Sequence, residues 1–138
     1  MKPAGDERTP DGAEHAAERP AREQLLDIRP EDRDDALILF LDGEIDGLTA
    51  PRMRAAISTA FDRLDGRMLV LDLTEVRFLG SAGLRTLLDS AAEAVTHRGY
   101  QPLRVVVDEN RPVVRPIEIV GLDNVLALYH SVGDALAA

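Results

Sequence analysis

A chain of 138 residues has room for one folded domain and none for a second lobe carrying its own cofactor. Its 25 acidic against 16 basic side chains give a formal charge of −9, which argues against direct nucleic-acid binding and against an anionic membrane surface. With no cysteine, no run of about 20 apolar residues and no secretory leader, thiol chemistry and disulfides are excluded and a cytoplasmic domain is expected.

Residues 1–24 form an acidic, Ala-rich tail. Beyond Met1 their apolar residues are Ala4, Ala13, Ala16, Ala17 and Ala21, with Pro3, Pro10 and Pro20 between them. Such a segment buries too little apolar area to offset its ordering entropy, so disorder is expected and the fold is assigned to residues 25–138. Leu25, Leu26 and Ile28 predict a short edge strand ending at Pro30, and Glu31 to Asp35 a charged turn. Ala36 to Leu41 predicts a second strand, apolar on both faces and continuing towards Ile45. A helix follows, with Thr49 as N-cap and Pro51 in its first turn. Met53, Ile57, Ala60, Phe61 and Leu64 lie on one of its faces, and Asp65-Gly66 stops it.

Met68 to Leu71, with Leu73, predicts a third strand, interior and covered on its faces. The second helix starts near Ser81, with Leu84, Leu87, Leu88, Ala91 and Val95 as its buried stripe and Arg85, Asp89, Glu93 and His97 as its wet face. Gly99 ends it. Leu103 to Val107 predicts a fourth strand, 111–120 a short helix interrupted by Pro116, and Val125 to Tyr129 a last strand. Val132 to Ala137 predicts a final helix capped by Ser131. Alternating strands and about four helices imply an α/β fold: a small, mostly parallel mixed sheet with an antiparallel edge hairpin.

His15, His97 and His130 are scattered, and Glu93 with His97 resembles an exposed helix pair, so neither metal nor cofactor is expected. The chemically interesting segment is Phe78-Leu-Gly-Ser-Ala-Gly-Leu84, between an interior strand and a helix at the carboxyl edge of the sheet. A nucleophile elbow requires glycine two residues before the serine, and Leu79 stands there. A Walker-type phosphate loop requires Gly-Lys-Ser/Thr after the glycines, which is absent. A small Ser hydrolase or nucleotide-binding domain is therefore the weakest reading. Ser81 acting only as an N-cap is the plainest one. The same place also suits a phosphate, because a helix N-terminus offers free N–H donors, and Gly80 and Gly83 add no bulk around the hydroxyl.

Asp72-Leu-Thr-Glu-Val-Arg-Phe-Leu-Gly-Ser-Ala-Gly-Leu-Arg-Thr-Leu-Leu88 resembles the signature of STAS domains, specifically bacterial anti-sigma factor antagonists (anti-anti-sigma factors). Leu41-Asp-Gly-Glu-Ile-Asp46 is similar to the family's L-x-G-E-L-D, and the resemblance continues through Asn110 to Arg115 and Ile119 to Asp123, covering residues 25–138. It implies a STAS fold and a non-enzymatic, monomeric partner switch in transcription control under stress. The unmodified domain would bind an anti-sigma factor serine kinase and free a sigma factor; phosphorylation at Ser81 would weaken the complex, and a PP2C-type phosphatase would reset it. The implied docking surface comprises Asp46, Gly43, Glu44, Thr49, Gly80, Ala82, Gly83 and Arg85 around Ser81. The family often has Asp-Ser-Ser-Gly here; Gly80 replaces the aspartate and Ala82 the second serine, which leaves one hydroxyl in the turn. Pro116 falls where relatives tend to have a longer helix. The alternative is a STAS scaffold within a larger sensor or transport complex, working without phosphorylation.

Overall fold

The computed structural model describes residues 25–98, 102–108, 110, 114–119 and 121–138. The tail at 1–24 lies outside the described residues. Strands β1 (Leu26–Asp32), β2 (Ala36–Ile45), β3 (Met68–Leu79), β4 (Leu103–Val106) and β5 (Leu126–Tyr129) form one five-stranded sheet in chain order. β1 pairs antiparallel with β2, and every later pairing is parallel. The helices are α1 (Ala50–Asp62), α2 (Ser81–Arg98), α3 (Val114–Ile119) and α4 (Val132–Ala137), with a 3-10 turn at Leu122–Asn124.

The unbroken apolar runs follow from burial on both faces of the sheet. Leu37, Leu39 and Leu41, Leu69, Leu71 and Leu73, and Leu103, Val105 and Val107 join one cluster with Met53, Ile57 and Phe61 of α1, Leu87, Ala91 and Ala94 of α2, and Ile117 of α3. The residues between them, Ile38, Val70 and Val106, meet Ala135 of α4 on the opposite face. α4 begins as expected at Ser131, whose hydroxyl accepts from the Asp134 N–H at 3.0 Å.

Several boundaries differ from expectation, each for a local reason. β1 continues through Pro30 to Asp32, because an edge strand needs ladder bonds on one side only. The turn contracts to Arg33–Asp35, closed by the Arg33 N–H on the Ala36 carbonyl at 2.8 Å. β3 runs six residues beyond Leu73 and pairs with β2 as far as Leu79, although its pairing with β4 stops at Asp72. α3 includes Pro116 in its first turn, where no N–H is required. The buried side of α2 is Gly83, Thr86, Leu87, Ser90, Ala91 and Ala94. Leu88, expected inside, is 48% exposed, while Leu84 and Val95 are only partly buried. Small and hydroxyl residues take those inner positions, Gly83 against Leu79 and Ile45 of the sheet and Thr86 towards Arg54 of α1; the Thr86 hydroxyl also donates to the Ala82 carbonyl at 3.0 Å.

At the amino end of the sheet, Asp32 accepts from Arg63 at 2.7 Å and Arg67 at 3.0 Å, tying the hairpin to the end of α1. The Arg67 hydrogen bond is the main cause holding the Asp32 carboxyl below the ordinary aspartate range, helped by Arg63. A carboxylate depressed on folding stabilises the native state above its unfolded pKa and loses that contribution as pH falls through the folded value. Titration of Asp32 by NMR should therefore give a midpoint below about 3.9. Asp32→Asn should lessen the fall in stability on acidification below about pH 4; an unchanged acid limb would refute the linkage.

Candidate functional site: the carboxyl edge of β2 and β3

β3 carries two extra residues relative to β2, and the carboxyl edge takes its shape from them. The pairing steps from Phe40↔Asp72 to Asp42↔Glu75, and then from Gly43↔Val76 to Glu44↔Phe78. At the first bulge the Asp72 carboxylate accepts from the Thr74 N–H at 2.8 Å and the Thr74 hydroxyl at 2.6 Å. At the second, Arg77 and Phe78 both reach the surface between buried Val76 and Leu79, as bulges re-aim side chains. Phe78 is 51% exposed.

The chain then turns at Gly80, whose N–H donates to the Ile45 carbonyl at 2.9 Å and whose carbonyl accepts from Leu84 at 3.0 Å. Gly80 thus takes the cap position and Ser81 is the first helical residue, a shift of one from the expected Ser81 cap. Ser81 is exposed, and its hydroxyl has no hydrogen-bond partner among the described residues. Ala82 beside it is partly buried and Arg85, one turn on, is exposed.

The companion loop follows β2. Asp46 accepts from the Leu48 and Thr49 N–H groups at 3.0 and 3.1 Å, and its own carbonyl accepts from Ala50 at 2.9 Å. Thr49 is fully buried. Its hydroxyl accepts from the Asp46 N–H at 2.9 Å and donates to the Glu44 carbonyl at 2.8 Å. Thr49 occupies the expected N-cap position of α1, with αR backbone angles, but its hydroxyl makes no cap hydrogen bond and is spent on the loop behind it. The Asp46 carboxylate closes the loop ahead of α1 and its backbone carbonyl takes the first helical N–H, that of Ala50, while Glu44 stays partly buried at the strand end.

The glycines divide by role. Gly43 is buried with φ +134°, and a Cβ there would fall 1.8 Å from the Leu25 carbonyl oxygen. Gly83 is also buried, and a Cβ would fall 2.5 Å from Leu79 and 2.6 Å from Ile45. Both were expected on the docking surface; the structure places them inside it, one seating β1 and the other seating α2. Gly80 lies against the Phe78 ring, 3.1 Å from where a Cβ would stand.

Exposed apolar side chains at this edge escaped the sequence reading. Leu48 is 55% exposed in the Asp46 loop. Ser81, Leu84, Arg85, Leu88 and Leu122 line an open, largely apolar depression of about 240 Å³. Exposed apolar residues grouped beside polar ones are a feature common at protein interaction surfaces. Leu48 carried a signal, as a leucine between Gly47 and Thr49 in a loop; Phe78 carried none, since its exposure depends on the bulge. Among the described residues no three His, Asp or Glu side chains converge, and no helix is long and apolar enough to cross a membrane.

The model of the STAS domain matches residues 27–135. The chain belongs to the STAS-domain family. This STAS domain is 34% identical over 105 residues to the anti-sigma-F factor antagonist RsfB of Mycobacterium tuberculosis, covering 76% of this chain and 82% of that one. It is 30% identical over 111 residues to an anti-sigma F factor antagonist of Paenibacillus polymyxa, covering 80% and 92%. The crystal structure of an anti-sigma factor antagonist from Mycobacterium paratuberculosis superposes with a TM-score of 0.68 at 32% identity, covering 85% of this chain and 95% of that one. The mixed sheet, its antiparallel edge pair and the four helices are those of the STAS fold.

Proposed function

We propose that this STAS domain is an anti-sigma factor antagonist that binds an anti-sigma factor serine kinase through its carboxyl edge and so frees a sigma factor. The observation that carries the reading is Ser81: exposed, with no hydrogen-bond partner among the described residues, on the rim of an apolar depression. The names of the relatives above support the same role. In the switched-off state the Ser81 oxygen forms a bond to the γ-phosphorus of ATP, ADP departs, and the hydroxyl proton passes to a base on the kinase. A phosphate adds about −1.5 to −2 charges at pH 7 beside Leu84 and Leu88, which opposes desolvation of that surface. A PP2C-type phosphatase restores the hydroxyl. The domain itself is a phosphate acceptor and not a catalyst, and it works as a monomer whose partner surface stays free.

Incubation with ATP and the candidate anti-sigma kinase, followed by mass spectrometry, should place one phosphate on Ser81 and none in Ser81→Ala. Ser81→Glu should bind the unmodified domain's partner at least about tenfold more weakly, the equivalent of 1.4 kcal/mol. A kinase that leaves Ser81 unmodified, with Ser81→Glu binding as tightly as wild type, would instead favour a STAS scaffold in a larger assembly. Ester hydrolysis lost in Ser81→Ala would point to an enzyme.

A further inference from the structure

Arg85 lies four residues after Ser81 on α2, and both side chains are exposed and line the same depression. Residues so spaced stand on one helical face with Cβ atoms about 5–6 Å apart, within reach of a guanidinium. The carboxylate that would ordinarily engage Arg85 is Asp89, four residues further along the same face. Asp89 is held instead by Arg54 of α1, at 2.9 Å, and Arg54 also donates to the Thr86 hydroxyl at 3.3 Å. Arg85 itself has no ion-pair partner among the described residues.

We infer that Arg85 is an intramolecular clamp for a phosphate on Ser81, and that the Arg54–Asp89 pair keeps it available for that purpose. The inference rests on the reading of Ser81 as the modified residue. Its consequence is that modification changes the docking surface twice. It adds an anion at Ser81 and withdraws a cation, Arg85, that the unmodified domain presents to its partner. Arginine suits the task, because its planar fork grips two phosphate oxygens at once.

The test uses the full chain with phosphoserine installed at position 81 during translation, so that no kinase is involved, and follows the phosphate by ³¹P NMR titration. A guanidinium in contact stabilises the dianion, so the second ionisation of the wild-type phosphate should lie about 0.5 lower than in Arg85→Gln, an exposed pair being partly screened. Arg54→Ala releases Asp89 to compete for Arg85 and should move the value towards that of Arg85→Gln. Arg54→Ala combined with Asp89→Ala should return it to wild type. Equal values in wild type and Arg85→Gln would overturn the clamp. An Arg54→Ala phosphate titrating like wild type would overturn the part assigned to Arg54. Either failure leaves phosphorylation of Ser81 by a kinase untouched, whereas a kinase that ignores Ser81 defeats that reading without moving these titrations.

Discussion

Gly43→Ala should lower the stability of the domain by about 3 kcal/mol or more, the sum of left-handed backbone strain and overpacking. The added methyl has nowhere to go. It would stand 1.8 Å from the Leu25 carbonyl oxygen and 3.1 Å from the Leu26 Cα, both backbone atoms. Relief therefore requires β1 to move off β2 at the Leu26↔Gly43 pairing, where Leu26 is buried in the main core. The φ of +134° adds a penalty for any L side chain. Urea denaturation followed by far-UV circular dichroism checks the figure. Gly47→Ala is the control: nothing lies within 4 Å of its missing Cβ, and a change within about 0.5 kcal/mol is expected. A Gly43→Ala protein as stable as the control would mean that β1 does not close on β2 at this residue.

Thr49→Val should cost about 2–4 kcal/mol, although it keeps shape and removes only a hydroxyl. That hydroxyl is the partner of two backbone groups, the Asp46 N–H and the Glu44 carbonyl, at a site with no exposed area. Leaving a buried group unpaired costs about 1–3 kcal/mol each, which outweighs the small gain from replacing a polar side chain with an apolar one. Thr49→Ser should retain most of the stability, because the hydrogen bonds survive and only a methyl is lost. The variant also bears on recognition. The Asp46 loop carries exposed Leu48, so a Thr49→Val domain should bind its partner less well even where it remains folded. A Val variant with wild-type stability would show that water replaces the hydroxyl and that the loop is wetter than its burial indicates.

The strands were legible where their chemistry is unambiguous. Ala36 to Leu41 and Met68 to Leu71 are apolar on both faces because helices cover both. The second half of β3 was hidden, since adjacent Thr74 and Glu75 and then Arg77 break the apolar pattern in a way that also suits a loop, and only pairing with β2 resolves it. The stripe of α2 was misjudged by helical spacing alone. Leucine was taken as the inward residue, whereas Gly83, Thr86 and Ser90 are buried, Gly83 because a side chain there would strike Leu79 and Ile45. Ser81 and Asp46 were singled out through a resemblance, while the inward positions of Gly43 and Gly83 were not legible. A sequence shows that a residue lacks a side chain, but not which neighbour would have struck it. Thr49 was read as the cap, and it holds that position, but its hydroxyl turns back to Asp46 and Glu44 rather than forward to the helix, which spacing along the chain does not reveal.

The Asp32–Arg63–Arg67 cluster and Ser81 stand at opposite ends of the sheet. Met68 opens β3 at one end and Leu79 closes it at the other, so at about 3.3 Å per residue the two sites are roughly 35 Å apart. Energetic effects of changes so far separated add with little coupling. One end can therefore drift to suit heat, acidity or salt while the other is rewritten for a new partner. Gene duplication would then need few compensating changes to give two copies different binding surfaces.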